Sequence, residues 1–184
     1  RDGYIYPDGA GYVIAVGIGG FYDLTPTSSR LITHGSLVAV GQLGFLVYEC
    51  GDTPQCQAVV IDRASWGRRV IPGLSLDDGQ SPLGVISADG RRAAIMQVNY
   101  ANNTTVVRLQ LIDLTSGRVV TVPTSMDPNA AFAWSAQFSP DGRQLAVVAE
   151  GGGVGVVDAA TGVVDLLRLP ASVPPLTALT TRLG

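Results

Sequence analysis

The sequence contains no lysine, so all 12 of its basic residues are arginines. These are outnumbered by 15 acidic residues, and the net charge is −3. Arg68-Arg69 and Arg91-Arg92 are isolated pairs typical of solvated turns, and no basic run occurs elsewhere. Because nucleic-acid binding depends on a dense positive surface, the composition argues against a nucleic-acid-binding protein.

Long hydrophobic runs are also missing. No apolar stretch reaches the roughly 18 residues that a membrane-spanning helix requires, and no signal peptide is recognisable. The chain begins at Arg1 without a methionine, which favours a processed or excised piece. With 184 residues and 46% hydrophobic content, it is long enough to bury the core of one domain.

Known catalytic signatures are absent as well. There is no Gly-x-Ser-x-Gly motif, phosphate-binding loop or dinucleotide fingerprint, and the glycine clusters at 17–20 and 151–153 lie between predicted strands. The pair Asp77-Asp78 lacks the spacing of a calcium loop, so a solvated linker is the better interpretation. His34 is the single histidine. The sequence therefore predicts no catalytic residue, no cofactor and no metal site.

Only two cysteines occur, Cys50 and Cys56. They flank Gly51, Asp52 and Pro54, a turn sequence that predicts a hairpin with the two thiols within disulfide distance. Six residues is not a zinc-ligand spacing. A disulfide favours an extracytoplasmic location, that is, a periplasmic, cell-surface or secreted protein.

The arginine-only, Ala/Val/Gly-rich composition suits a GC-rich bacterial genome, which is an argument from codon usage.

The 23 glycines and many valines favour short strands joined by tight turns, and no amphipathic stretch of helical length is present. The clearest unit spans 138–163, where a Ser-Pro-Asp-Gly turn, a strand, a glycine turn, a strand and an Asp-x-x-x-Gly turn follow one another. The same order recurs in four units, approximately 1–33, 34–73, 83–123 and 132–169, with 170–184 as a tail or the start of a further unit. Four-stranded units at this period predict an all-β fold, a β-propeller of about four visible blades.

Several details of the units are predicted from this pattern. Asp23, Asp62, Asp113 and Asp158 precede turns, so we expect their carboxylates to accept hydrogen bonds from the following backbone. The turn at 62–67 is expected to be one residue longer than its counterparts. The polar segment 99–104 is expected to form a loop.

The residues Phe138-Ser139-Pro140-Asp141-Gly142-Arg143, followed by Val157-Asp158 and Thr161-Gly162, resemble the TolB-like Pro-Asp repeat of β-propellers. A weaker copy runs from Ser87 to Arg91 and continues with Asp113 and Gly117. The Trp-Asp repeat and the sialidase Asp-box are not matched. The resemblance implies binding, scaffolding or substrate gating more often than catalysis. Complete members usually have six to eight blades, so about four blades imply part of a larger propeller.

We name the four strands of a blade a to d in chain order. The turns between a and b and between c and d then lie at one end of the sheet. The b–c loops and the d–a links share the other, where irregular loops favour function. Trp134 is expected to pack between blades, and Trp66 is expected to be exposed in a turn. The residues predicted to bind a partner are His34, Asp52, Trp66, Tyr100, Asn102, Asn103, Asp127 and Trp134.

Three functions fit these observations. The leading hypothesis is a non-catalytic binding or scaffold module that contacts a protein or envelope partner through the b–c and inter-blade loops. The alternative is the gating portion of a larger hydrolase, such as a serine peptidase, with its catalytic residues outside this chain. A self-contained lyase or glycosidase is least favoured. Open sheet edges also predict self-association or incorporation into a larger chain.

Overall fold

The computed structural model describes residues 4–7, 13–17, 19–50, 56–72, 74, 84–101, 104–122, 135–148 and 154–167. Within these ranges all regular secondary structure is β-strand, and helices are absent. The described residues accordingly include no helix of a length and hydrophobicity that could cross a bilayer. The all-β class predicted from the sequence is confirmed.

The described strands form four consecutive groups of four, and each group is an antiparallel meander that we call a blade. Strands β5 and β9, the first strands of the second and third blades, also pair in parallel and join these blades into one eight-stranded sheet. Successive meanders that pack against one another make a β-propeller, as predicted. The strands are β1 Tyr4–Pro7, β2 Val13–Gly17, β3 Gly20–Thr25, β4 Ser28–Thr33, β5 Ser36–Val40, β6 Gly44–Cys50, β7 Cys56–Asp62, β8 Arg68–Val70, β9 Gly84–Ile86, β10 Arg92–Ala101, β11 Thr104–Asp113, β12 Val119–Val122, β13 Ser135–Phe138, β14 Gln144–Val148, β15 Val154–Asp158 and β16 Val164–Leu167.

The described hydrophobic residues form three core clusters, each between two successive blades. Phe45 and Ile61 of the second blade pack towards Ile32 of the first. Leu46 packs towards the third blade, because successive side chains of a strand point to opposite faces. A third cluster joins the third and fourth blades. The middle blades are therefore apolar on both faces, which explains why their strands are continuous hydrophobic runs.

The a–b turns of the third and fourth blades have the same hydrogen-bond network. In the third blade the Ser87 hydroxyl donates to Asp89 Oδ1 over 2.6 Å, and Asp89 Oδ1 also accepts from the Arg91 N–H over 3.0 Å. In the fourth blade Ser139 and Asp141 repeat these bonds at 2.6 and 3.1 Å. A Ser-x-Asp-Gly sequence therefore encodes a self-contained turn, with alanine at x in the third blade and proline in the fourth.

The c–d turns of three blades are also equivalent, and here one sequence-based expectation is wrong. The Asp113 N–H donates to the Arg118 carbonyl, and the Asp62 N–H donates to the Gly67 carbonyl in the same way. The turn at 62–67 is thus no longer than its counterparts. The residue at the left-handed position is Gly117 with φ +76° in the third blade and Trp66 with φ 58° in the second. Trp66 occupies a position that glycine normally fills.

Replacing Trp66 tests this placement. The indole lies under the Arg30 guanidinium, 4.0 Å from its Cζ to the ring centroid, and 6.0 Å from the Phe45 ring. Removal of the ring is expected to lower the free energy of unfolding by about 2–4 kcal/mol. Trp66→Gly is expected to be more stable than Trp66→Ala by about 1 kcal/mol, because only glycine adopts positive φ without strain. Urea denaturation measures both values, and a more stable alanine variant would contradict the assignment.

Two further expectations are wrong. Asp23 does not precede a turn: it lies within β3, is 5% exposed, and forms an ion pair with Arg63. The turn of the first blade starts two residues later, where Thr25 Oγ1 accepts from the Ser28 N–H over 3.0 Å. The segment 99–104 is mainly strand, since β10 and β11 pair up to Ala101 and Thr104. Tyr100 pairs there with Thr105, a residue type that favours strands.

The remaining organisational predictions are not tested by the described residues. The first Pro-Asp-Gly turn at 7–9 lies partly outside them, as do the links 75–83 and 123–134 and the tail 170–184. The proposed blade limits of 1–33, 34–73, 83–123 and 132–169 therefore stay predictions.

Candidate functional site

The end of the blades that carries the b–c connections is irregular from blade to blade. The b and c strands of the second blade have 7 residues each and those of the fourth have 5, whereas those of the third have 10. The β10–β11 hairpin therefore extends beyond its neighbours. At the other end the a–b turns of the third and fourth blades and the c–d turns of the last three blades repeat the same hydrogen bonds, so the described strands vary more at the b–c end.

A disulfide between Cys50 and Cys56 closes the β6–β7 hairpin, as the turn sequence predicted. The two residues face each other across the strands, and their Cα atoms are 4.0 Å apart. The bond fixes the base of the segment 51–55, which lies outside the described residues.

His34 lies in the link between β4 and β5 and is exposed. Its Nδ1 contacts the carbonyl oxygen of Gly19, in the turn between β2 and β3. Because a carbonyl oxygen only accepts hydrogen bonds, Nδ1 carries the proton in this contact. The imidazole thus connects a d–a link to a b–c turn on the face predicted to bind a partner.

A polar cluster lies beside His34 where the first and second blades meet. Thr33 Oγ1 donates to Glu49 Oε1 over 2.6 Å, and Arg68 Nη2 donates to Glu49 Oε2. Burial raises the pKa of Glu49, but hydrogen bonds from Arg68 and Thr33 and the positive charges of Arg68 and His34 outweigh it. The pKa of Glu49 is therefore lowered below its ordinary value of 4.5. The carboxylate is ionised at neutral pH and already engaged on both oxygens.

Glu49, Thr33 and Arg68 were not predicted from the sequence. They come from β6, β4 and β8, so two blades must pack together before the cluster exists. Only Glu49 gave a weak signal in the sequence. It is a charged residue at the end of an apolar strand, directly before Cys50, and such a residue needs a partner.

The structure does not bring the predicted binding residues into one site. Trp66 is half-buried rather than exposed and lies in a c–d turn, at the end of the blade opposite to His34. Tyr100 belongs to β10, and only its backbone is described. The remaining predicted residues lie outside the described ranges: Asp52, Asn102, Asn103, Asp127 and Trp134. A role in binding stays a prediction for all eight residues.

A cavity of about 260 Å³ lies at the other end, between the second and third blades. Its walls include Leu43, Asp62, Arg69 and Asp89. Arg69 Nη2 donates to the Leu114 carbonyl, and the Asp62 and Asp89 carboxylates accept hydrogen bonds within their own turns. Arg69 thus serves the contact between the two blades, and the two carboxylates serve their own turns.

The repeated turns make a pH dependence testable. The Ser116 N–H, opposed in part by burial, holds the pKa of Asp113 below its ordinary value of 3.8, and the same direction applies to Asp62, Asp89, Asp141 and Asp158. A lowered folded-state pKa stabilises the fold above the unfolded value, and this stability is lost as the pH falls through the folded value. We expect a constant Tm from pH 7 to about 5 and a fall below about pH 4.

Asp113→Asn is the matched variant for this experiment. Asparagine keeps an oxygen that accepts from the Thr115 and Ser116 N–H groups, 2.9 and 2.8 Å from the carboxylate, but it does not titrate. Between pH 5 and 2.5 the Tm of the variant is expected to fall less than the Tm of the parent. Thermal melts followed by circular dichroism measure this loss, and parallel curves would contradict the assignment.

Groups of three or more His, Cys, Asp or Glu side chains that could hold a metal ion do not occur in the described part of the chain. Around His34 the described neighbours are a carbonyl oxygen and the engaged Glu49 carboxylate.

No protein-family model matches this chain, and no curated protein matches it either. Solved structures do match. The tricorn protease superposes with a TM-score of 0.59 and 10% identity, covering 94% of this chain and 18% of that one. TolB from Acinetobacter baumannii has a TM-score of 0.50 and 15% identity over 92% of this chain and 42% of its own. A structure described in a study of two prolyl endopeptidases has a TM-score of 0.55 and 17% identity, covering 85% of this chain and 24% of that one.

These likenesses define the fold. The chain has a β-propeller fold, the fold that the resemblance of its Pro-Asp repeats implies. It spans less than half the length of each of these three structures. At such identities the likeness carries no activity from one protein to the other.

Proposed function

We propose that this chain is a non-catalytic binding module that contacts a protein or envelope partner through its b–c loops and inter-blade links. The observation that carries the proposal is the contrast between the two ends of the blades. At one end the turn carboxylates accept bonds from their own turns. At the other end hairpins of unequal length, a disulfide and the His34–Glu49–Arg68 cluster create a surface that differs from blade to blade.

The disulfide supports an extracytoplasmic location, since such bonds persist in oxidising compartments. The composition supports a bacterial source. Together they favour a module that works in the cell envelope or outside the cell.

The alternative is a gating propeller of a larger hydrolase. The likeness to the tricorn protease and to a prolyl endopeptidase structure makes it worth testing. In that case the catalytic residues would lie outside this chain, and its role would be to restrict access of substrate.

Site-specific photo-crosslinking separates the two ends of the propeller. A benzoylphenylalanine at His34 or Asn102 is expected to give discrete adducts in intact cells of a bacterial host that produces the partner. The matched control is the same group at Thr115 or Ala160, which are exposed in c–d turns. Adducts from the turns alone would overturn the proposal. If the chain is instead the gating propeller of a larger hydrolase, adducts are expected mainly with short peptides or with a catalytic domain of the same polypeptide.

A further inference from the structure

Two successive interfaces between blades differ at one equivalent position. In the third blade Arg92 is the first residue of strand b, and its Nη1 donates to the Gly142 carbonyl of the fourth blade over 2.7 Å. Arg92 pairs with Asp113 across strands b and c. Gly44 pairs with Asp62 in the same way and so holds the same position in the second blade. The second blade therefore has no side chain there that could reach the third.

The acceptor for such a side chain is nevertheless present in the third blade. Gly90 is the counterpart of Gly142, since both have positive φ, of 68° and 66°, and both donate their N–H to the serine carbonyl of their own a–b turn. Gly44 and Gly90 both line the cavity of about 260 Å³ between the second and third blades. The cavity therefore lies at the position where the next interface holds the Arg92 side chain.

Gly44 itself has no room for a side chain. A Cβ added there would clash with the carbonyl oxygen of Ile61, which belongs to the neighbouring strand. A backbone oxygen in a strand pair cannot move aside as the end of a flexible side chain would. A group that takes the place of Arg92 at this interface must therefore come from elsewhere.

Two carboxylates line the cavity, those of Asp62 and Asp89, and both residues are exposed. The hydrogen bonds within their turns end on Oδ1. Asp113, the counterpart of Asp62, serves its turn and a cation together. The Ser116 N–H is the main cause of the lowered pKa of Asp113, and the positive charge of Arg92 adds to it.

The remaining side chains of the cavity suit a long basic group. Arg69 also lines it, and its guanidinium donates to the Leu114 carbonyl. Two carboxylates against one guanidinium leave the cavity with a negative charge, which favours a cationic ligand. Leu43 forms part of the wall and is 50% exposed, so it offers an apolar surface to the methylene stem of a basic side chain.

We propose that this cavity binds an arginine side chain of a protein partner, whose guanidinium takes the place that Arg92 takes at the next interface. The Gly90 carbonyl and the two carboxylates accept hydrogen bonds from it, and Leu43 packs against its stem. Arginine fits better than lysine, because its planar guanidinium donates in several directions at once. The cavity lies at the end opposite to the b–c loops, so this contact is independent of the binding surface proposed above.

The probe is N-acetyl-arginine amide, added in an NMR titration of the backbone amides of the chain. The Gly67 and Gly90 amides, both at the cavity, are expected to shift with a Kd on the order of 1 mM, as is typical of so small a ligand. Their counterparts at the next interface, Arg118 and Gly142, are expected to stay in place. N-acetyl-citrulline amide has the same shape without the charge and is expected to bind about tenfold more weakly.

The matched variants change charge and keep the turns. Asp62→Asn/Asp89→Asn retains oxygens that accept the turn bonds, and the Kd is expected to rise about tenfold or more. Asp141→Asn is the control, since Asp141 makes the same turn bonds as Asp89 at a distance from the cavity, and its Kd is expected to be unchanged. Arg92→Ala opens the counterpart position, and the Gly142 amide is then expected to respond to the probe as well.

Three results would overturn the proposal. The citrulline probe could shift the same amides as strongly as the arginine probe, which would show that the charge is not recognised. Asp141→Asn could weaken binding as much as the double variant, which would assign the effect to the general charge of the surface. N-acetyl-aspartate amide could shift Gly67 and Gly90 while the arginine probe does not, which would assign the cavity to an acidic group held by Arg69.

Discussion

Gly117→Ala is expected to lower the free energy of unfolding by about 2–4 kcal/mol. A residue with a Cβ in the left-handed region costs about 1–2 kcal/mol, and Gly117 has φ +76°. The new Cβ would also lie 2.9 Å from Ile71 Cγ2 and 3.0 Å from the Pro72 carbonyl oxygen. Such overpacking costs about 1–3 kcal/mol, and the backbone oxygen cannot move aside as a side chain would.

Thermal denaturation measures this effect. For a chain of this size each kcal/mol shifts the Tm by about 2–4 °C, so a fall of about 5–15 °C is expected. Gly67→Ala is the matched control, since Gly67 also follows a c–d turn but its added Cβ would meet only Ser65 Oγ, at 3.1 Å. Its Tm is expected to stay within about 2 °C of the parent. Equal losses in the two variants would show that the left-handed position and the blade contact are not the cause.

The turns were the part of the fold that the sequence could predict. Pro-Asp-Gly and Asp-x-x-x-Gly motifs are local, because Asp141 and Asp158 each accept bonds from residues two or three places away. A local pattern is readable from one segment at a time. Repetition of that pattern was then sufficient to predict the propeller.

Two errors arose where the neighbouring blade decides the outcome, and a third arose where cross-strand pairing does. Asp23 matches the spacing of the turn aspartates, but its carboxylate lies against Arg63, 40 residues away. Trp66 stands where glycine is expected, because its ring is held by Arg30 and Phe45, the former from the first blade. In the segment 99–104, polar composition suggested a loop, but cross-strand pairing with Thr104 and Thr105 extends the strands.

The candidate site was less predictable for the same reason. His34 and the disulfide could be identified one by one. The cluster of Glu49, Thr33 and Arg68 could not, because its members are brought together by the packing of two blades. For the loops at the b–c end, the sequence predicted only that they differ from blade to blade. An irregular sequence does not specify the chemistry of a partner.

Asp23→Leu is expected to destabilise the protein by about 3–5 kcal/mol, a loss typical of removing one partner of a buried ion pair. The Asp23 and Arg63 side chains are 6% and 10% exposed, and Oδ1 lies 3.4 Å from Nη2. Without the carboxylate, the guanidinium loses a partner that compensates for its removal from water. The Arg63 Cζ is also 4.5 Å from the Phe45 ring centroid, so the guanidinium makes a cation–π contact with that ring.

The double variant Asp23→Leu/Arg63→Met separates the charge from the packing. Methionine retains the contact with Phe45, and no buried charge remains, so the double variant is expected to be more stable than Asp23→Leu alone. The coupling free energy from urea denaturation of the parent, both single variants and the double variant is expected to be about 2–3 kcal/mol. If the effects of the two single changes simply add, the ion pair does not couple the first blade to the second.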